Sequence, residues 1–231
     1  MTLLTICQDA AAEIGVPEPS SVVNNTDSNA ALLYRLADRA GRDLMKEHDW
    51  QVLTKEGSFT TVATESQGAL TTIASDFDRM IGDTLYNRTQ KWQVGGPRTS
   101  ADWQAEQGLA SSSIRDTFRI RGGEIIMSPV PTAGESVYFE YVSNQWCESA
   151  AEAGQVAFAA DDDTGVVDED LIRMGVIWRF LSAKGFSYGE QKTDYEKRLS
   201  LEVARDGAAS RLDLSGPGRS RRRVPEGSWA L

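Results

Sequence analysis

The spacing of apolar residues changes twice along this 231-residue chain, and that change restricts the fold. Near both ends, apolar residues recur every three or four positions, as on one face of an amphipathic helix. In the middle, β-branched and aromatic residues stand between Gly- and Pro-rich turns, which is typical of short strands. The sequence therefore predicts an α+β protein, with helices from both ends and a β-rich segment between them.

Two helices are predicted in the first 50 residues. The first follows Thr2, whose hydroxyl suits a helix N-cap, and Gly15 ends it. The second begins at Asp27 or Ser28, and its apolar stripe runs to about Trp50. Helices joined by a short loop usually pack as antiparallel neighbours, so we expect these two to lie side by side.

Two further helices are predicted after residue 167. Asp168 is a good N-cap, and the two carboxylates that follow it complement the positive N-terminus of a helix. This helix is so apolar that we expect it to be packed between others, and Gly185 is expected to break or kink it. A more polar helix then runs from Tyr188 to Asp206.

The middle of the chain carries the strand signals. The clearest strand is Val137 to Val142, and Phe59 to Val62 is also strand-like. Phe118 to Arg121 is predicted to be a strand. Gly122-Gly123 follows it, and a pair of glycines favours a tight hairpin. A short helix is expected to begin at Ser100.

These signals divide the chain into four regions. They are residues 1–53 (N-terminal helices), 54–148 (β-rich insertion), 149–210 (acidic linker and C-terminal helices) and 211–231 (extended basic arm). The predicted architecture is a helical bundle formed by both ends of the chain, with an inserted β-rich subdomain and an extended C-terminal arm.

The last region differs from the rest in charge. Its five arginines outnumber Asp213 and Glu226, which gives +3, so the remainder of a chain of net charge −10 carries −13. It is either a disordered, solubilising terminus or an arm that binds an acidic surface or nucleic acid. The second hypothesis assigns partner binding to Arg219, Arg221, Arg222, Arg223, Trp229 and Leu231. Arginine pairs bidentately with carboxylates, and aromatic residues with arginine are common at interface hot spots.

Residues with catalytic or metal-binding chemistry are few. His48 is the only histidine and is expected to end a helix, while Cys7 and Cys147 are expected to be reduced, structural thiols. Nucleophile-elbow and phosphate-binding glycine motifs are missing. We therefore predict no catalytic residue, no metal and no cofactor. The negative net charge also argues against a general nucleic-acid coat.

The acidic run Asp161-Asp162-Asp163 is a candidate calcium-binding loop. An EF-hand loop beginning at Asp161 would need ligands where Gly165 and Ile172 stand, so a solvated acidic loop is expected instead. The six tryptophans are expected to be core and interface anchors, with a sugar site as the alternative. The sequence predicts neither a signal peptide nor a membrane span.

Several stretches resemble one family of proteins. They are residues 4–17 with 44–50, residues 118–123 with 139–143, and residues 171–185 with 195–199 and 204–207. In these packing patterns the chain is similar to the head-to-tail connector (adaptor) proteins of tailed bacteriophages, of the tail accessory factor or tail tubular protein type.

The resemblance implies a structural virion protein, not an enzyme. Such a protein forms a homo-oligomeric ring, a dodecamer that matches the twelvefold portal protein, and it receives a downstream tail or nozzle protein. The ring lines the DNA channel without sequence-specific binding, does not contact a membrane, and lies in the neck of a virion assembled in the host cytoplasm. The portal is the implied partner of the arm.

Three alternatives stay open. One is another neck or tail-completion protein of the same particle. Another is a cell-wall (peptidoglycan) hydrolase that uses a carboxylate pair, since some relatives are reported to have that activity, although no residue here requires it. The last is a carbohydrate-binding module that uses the tryptophans.

Overall fold

A computed structural model describes residues 1–108 and 116–207, and it shows a mixed α+β protein. In this part of the chain there are six α-helices and several antiparallel sheets. The helices are α1 (Leu3–Ile14), α2 (Ser28–Glu47), α3 (Leu70–Ile73), α4 (Ser100–Gly108), α5 (Glu169–Lys184) and α6 (Gly189–Asp206), and a 3-10 turn covers Gln51–Leu53. The strands are β1 (Thr54–Thr60), β2 (Ser66–Ala69), β3 (Phe77–Met80), β4 (Tyr86–Asn87), β5 (Trp92–Gln93), β6 (Thr117–Arg121), β7 (Glu124–Ser128), β8 (Ser136–Ser143), β9 (Cys147–Glu148), β10 (Gly154–Gln155) and β11 (Thr164–Gly165).

The chain forms two compact units. The first, called the helical unit below, comprises Met1–Thr54 and the described residues from Asn144 to Gly207. The second, called the sheet unit, comprises Lys55–Ser143. Each is described by itself.

In the helical unit, α5 packs against α1, α2 and α6, as its apolar sequence predicts. Two glycines allow backbones and rings to approach closely. A Cβ added to Gly175 would lie 3.1 Å from the Cβ of Ala40, and Gly41 lies directly against the indole of Trp146. The close packing of α2 therefore depends on small residues at these positions.

The predicted helix boundaries are confirmed at most positions. Asp27 accepts hydrogen bonds from the backbone of α2, Asp168 does the same for α5, and Gly15 and Gly185 end their helices at φ of +80° and +76°. The predicted end of α2 near Trp50 is wrong by three residues. The indole of Trp50 donates to the Leu44 carbonyl at 2.7 Å, which folds the chain back on the helix end.

The acidic segment after residue 150 differs from the expected solvated loop. β10 and β11 both pair with β9, and Asp163 is buried, accepting from the amides of Ala159 and Ala160 at 2.6 and 2.9 Å. Asp161 accepts from the amides of Val22 and Val23 at 3.0 and 2.8 Å. These carboxylates satisfy backbone donors that have no partner in a helix or sheet, so they organise the loops instead of being solvated.

The sheet unit contains two antiparallel sheets. One has the order β1-β8-β4-β5 with β3 also paired to β8, and the other has the order β2-β7-β6. The predicted hairpin is confirmed, since Gly122 and Gly123 join β6 to β7 at φ of +64° and +81°. The predicted strand at 59–62 is displaced, because the Thr61 amide bonds to Glu135 and the Val62 amide to the Gln67 side chain.

Apolar side chains from both sheets form the core of this unit. They are Leu70, Ala74, Leu85, Val94, Phe118, Ile125, Met127, Val137, Phe139 and Tyr141. Three tryptophans are buried as predicted for core anchors: Trp103 in this unit, and Trp50 and Trp146 in the helical unit. No described helix is long and apolar enough to span a membrane.

Candidate functional site

The residues predicted to bind a partner lie outside the part of the chain that the structure describes. They are Arg219, Arg221, Arg222, Arg223, Trp229 and Leu231. Their role stays a prediction, and the candidate site below is built from other residues.

His48 takes the helix-end position that the sequence predicts. It is the C-cap of α2, its Nε2 lies 3.3 Å from a carboxylate oxygen of Asp206, and its ring meets that of Trp50 edge-on at 5.1 Å. The partner carboxylate comes from the last residue of α6, so the sequence neighbour Asp49 is not the group that the ring meets there.

The two thiols are buried and are not joined by a disulfide. Burial, with a smaller contribution from nearby carboxylates, raises the pKa of both Cys7 and Cys147 to about 12. Because the thiolate is the nucleophilic and metal-binding form, both are inert at neutral pH. Within residues 1–108 and 116–207, no group of three or more His, Cys, Asp or Glu side chains could hold a metal ion.

One buried cluster in the sheet unit contains the residue types of a hydrolase. The carboxylate of Asp76 accepts hydrogen bonds from Tyr141 at 2.8 Å, Ser143 at 2.8 Å and Lys55 at 2.6 Å. Burial raises the pKa of Asp76, but these three hydrogen bonds outweigh burial and lower it to about 2. Ser143 is fully buried, so a substrate cannot reach its hydroxyl, and the cluster joins β3 to β8.

The surface best suited to binding is a groove between α2, α5 and α6 in the helical unit. We call it the aromatic groove; its volume is about 390 Å³. The residues that define it are Asp43, Trp178, Arg179, Lys192, Tyr195 and Glu196.

Arg179 forms the centre of the aromatic groove. Its side chain is only 9% exposed, and its guanidinium carbon lies 4.4 Å from the ring centroid of Trp178. It donates to Asp43 at 2.8 Å and to the Gly175 carbonyl at 3.1 Å. A buried guanidinium with these partners is held in a fixed position, so the groove is preorganised.

Aromatic rings continue from this centre to the surface. The ring of Trp178 lies 6.3 Å from those of Tyr188 and Tyr195. Burial raises the pKa of Tyr195, although Arg179 opposes it, so its hydroxyl is neutral. Phe186, in the turn between α5 and α6, is 59% exposed. Trp, Tyr and Arg with a charged rim are the side chains that dominate protein–protein hot spots.

Reasoning from the sequence did not find the aromatic groove. It placed Trp178 on or near the apolar face of a helix and Tyr195 in the stripe of another, which is correct for both. The pairing of Arg179 with Asp43 joins residues 136 positions apart. The one available signal was the Trp178-Arg179 pair in an otherwise apolar helix.

A second arginine–aromatic contact lies on the sheet unit. The guanidinium of Arg88 lies 3.5 Å from the centroid of the Tyr138 ring and donates to Glu56 at 2.5 Å. Arg88 and Glu56 are both about half exposed, so this contact is a solvated surface feature and a weaker candidate than the aromatic groove.

Comparison with known proteins identifies no relative: no protein-family model matches the chain, and no curated protein is significantly similar to it.

Proposed function

We propose that this chain is a structural, non-enzymatic subunit of a ring-forming head-to-tail connector of a tailed bacteriophage, joining the portal protein to the tail around the DNA channel. The observation that carries the proposal is the aromatic groove. Its fixed Arg179 and its aromatic side chains are those of protein-binding surfaces, and its floor comes from the stretches at 171–185 and 195–199 that resemble connector proteins.

The proposed architecture follows the same resemblance. We propose that the helices of the helical unit form a bundle from both ends of the chain and that residues 54–148 are its β-rich insertion. We also propose that residues 211–231, which lie outside the described part of the chain, are an extended arm. Support for the bundle comes from α5, which packs against α1, α2 and α6.

A ring of identical subunits needs two different patches on each subunit, one of which binds the other on a neighbour. The aromatic groove is suited to be one of them. The net charge of −10 keeps free subunits apart by mutual repulsion, so we propose that they are monomeric until a portal, itself a twelvefold ring, brings them together. The assembled ring would occupy the virion neck and bind the tail or nozzle protein below it.

The experiment that tests the proposal is negative-stain imaging of the purified chain with and without its cognate portal. We expect twelvefold rings only in the presence of portal. A groove variant, Lys192→Glu, should reduce ring formation, because it reverses the charge of a side chain that a partner would meet in the aromatic groove. The matched control is Lys197→Glu, on the same helix and 70% exposed, which should assemble normally.

Two outcomes would overturn the proposal. One is that the purified chain does not associate with portal. The other is peptidoglycan turnover or saturable sugar binding by the isolated monomer, which would favour a hydrolase or a carbohydrate-binding module.

The proposed binding of residues 211–231 to portal is tested separately. Truncation after Ser215 should leave the melting temperature nearly unchanged and abolish portal binding, because Arg219 to Arg223 and the Trp229 side chain are the proposed anchors. Surface plasmon resonance on immobilised portal measures the loss. A truncated chain that binds portal with full affinity would show that the arm is not the anchor.

A further inference from the structure

The last turn of α6 is tied to the end of α2 by a single carboxylate. Asp206 accepts a hydrogen bond from the backbone amide of Gln51 at 2.9 Å, and the same oxygen lies 3.3 Å from Nε2 of His48. Gln51 and Asp206 are 155 positions apart in sequence. The Asp206 side chain is only 19% exposed, so water screens these interactions less than on an open surface.

The α2 side of this contact is held firmly in place. Trp50, between His48 and Gln51, is buried, and its indole donates to the Leu44 carbonyl. The Thr54 hydroxyl donates to the Trp50 carbonyl at 3.0 Å. The two groups that meet Asp206 therefore belong to a turn that is fixed to the helix before it and to the residues after it.

After Tyr195, the side chains of α6 are half-buried or exposed, and Arg198 lies 3.8 Å from Asp168. Tyr195 is the one buried residue of α6, and it precedes Asp206 by 11 positions, or roughly 16 Å along the helix axis. Helix ends fray where packing is weak, because the last carbonyls have no partner within the helix. The contact at Asp206 therefore attaches α6 at its C-terminal end, where a helix is prone to fray.

We propose that Asp206, His48 and the Gln51 amide form a clasp that fixes the position from which the chain continues beyond Gly207. The clasp is a positioning device: it holds the last turn of α6, the end of the described chain, against the end of α2. Its functional consequence rests on the proposed role of residues 211–231 as a portal-binding arm, whereas the clasp itself does not. Holding the start of an arm in place reduces the conformational entropy lost when the arm binds.

The structural part is tested on the isolated protein by hydrogen exchange. In Asp206→Ala the Gln51 amide loses its acceptor, so its exchange, and that of the last turn of α6, should accelerate about tenfold. The amides of the first two turns of α6 should change less than about twofold, since Tyr195 holds that part. In Asp206→Asn the side-chain carbonyl still accepts from Gln51, so that amide should keep most of its protection.

The matched control is Asp194→Asn, an exposed carboxylate of the same helix that pairs with Lys197. It should leave the exchange of Gln51 and of the last turn unchanged. Equal protection of Gln51 in Asp206→Ala and in the native chain would overturn the clasp.

The functional part is measured as portal affinity. Asp206→Ala should weaken portal binding about three- to tenfold, while Asp206→Asn should weaken it less. If exchange accelerates but affinity is unchanged, the clasp exists and the positioning role is wrong. If native protein does not bind portal, the proposed function fails while the exchange result still decides the clasp.

Discussion

The helical unit and the sheet unit bury polar groups to different extents. In the helical unit, long helices satisfy most of their own backbone groups, so they can meet through apolar and small residues such as Gly41, Ala40 and Gly175. In the sheet unit, several strands have only two to four residues, so many backbone groups lie in the connections between them. These backbone groups need other partners.

Buried polar side chains also join strands and loops of the sheet unit, and we call them hydrogen-bond hubs. The Asp76 carboxylate accepts three hydrogen bonds. The Glu135 carboxylate accepts one from Asn87 at 2.6 Å and one from Gln90. Thr61 joins two loops through its hydroxyl, which donates to the Thr132 carbonyl and accepts from the Glu135 amide. The comparison teaches that close packing limits substitutions in the helices of the helical unit, outside its acidic loop, whereas hydrogen-bond hubs limit them in the sheet unit.

The largest expected effect is a packing defect in the helical unit. Gly41→Ala should lower the free energy of unfolding by about 3 kcal/mol, because the new methyl group would overlap the Trp146 ring. This loss should exceed the gain from the better helix propensity of alanine. Urea denaturation gives the magnitude, and hydrogen exchange should show lost protection first in α2 and α5.

The control for this packing defect is the same substitution at an open position. Gly189→Ala, at the start of α6, meets no atom within 4 Å and should be neutral or slightly stabilising. If Gly41→Ala is as stable as Gly189→Ala, close packing is not what limits the helical unit.

The next effect is the loss of a hub in the sheet unit. Asp76→Ala should cost about 2 kcal/mol, because it leaves the buried hydroxyls of Tyr141 and Ser143 without their acceptor. Asp78→Ala, two positions along and paired with the neighbouring Arg79, should cost less than about 1 kcal/mol. Hydrogen exchange in β3 and β8 measures both, and equal losses would refute the hub.

The smallest effect concerns the acid dependence of two carboxylates. The pKa of Asp76 is lowered to about 2 from 3.8, so its contribution to stability is complete above pH 4 and is lost as pH falls towards 2. The pKa of Asp38, in the helical unit, is raised by burial, although Arg42 opposes this. Asp38 therefore destabilises the folded state increasingly as pH rises above 3.8.

Replacing each aspartate with the uncharged asparagine tests these two opposite pH dependences of stability. As pH falls from about 4 to 2, the advantage of the native chain over Asp76→Asn should shrink by roughly 2 kcal/mol. Relative to Asp38→Asn, the native chain should gain stability as pH falls towards 3.8, because burial disfavours the charged carboxylate more than Arg42 favours it. Denaturation series at fixed pH values measure both, and slopes of the same sign would contradict the assignment.

The sequence by itself determined the features that depend on neighbours along the chain. Asp27 and Asp168 cap their helices, Gly15 and Gly185 end theirs, and the paired glycines at 122 and 123 turn a hairpin. The α+β class followed from the change in apolar spacing. Each of these depends on backbone preferences and hydrogen bonds within a few residues, which the order of amino acids states directly.

The tertiary structure alone decided the interactions between distant residues. The acidic run at 161–163 organises loops because the Asp161 carboxylate reaches the distant amides of Val22 and Val23. The aromatic groove needed Asp43 beside Arg179, and the clasp needed Asp206 beside Gln51. Charged and polar side chains carry no period that reveals their partners, since a carboxylate on a helix can be solvated or paired. Only the packing of apolar faces brings the partners within hydrogen-bonding distance.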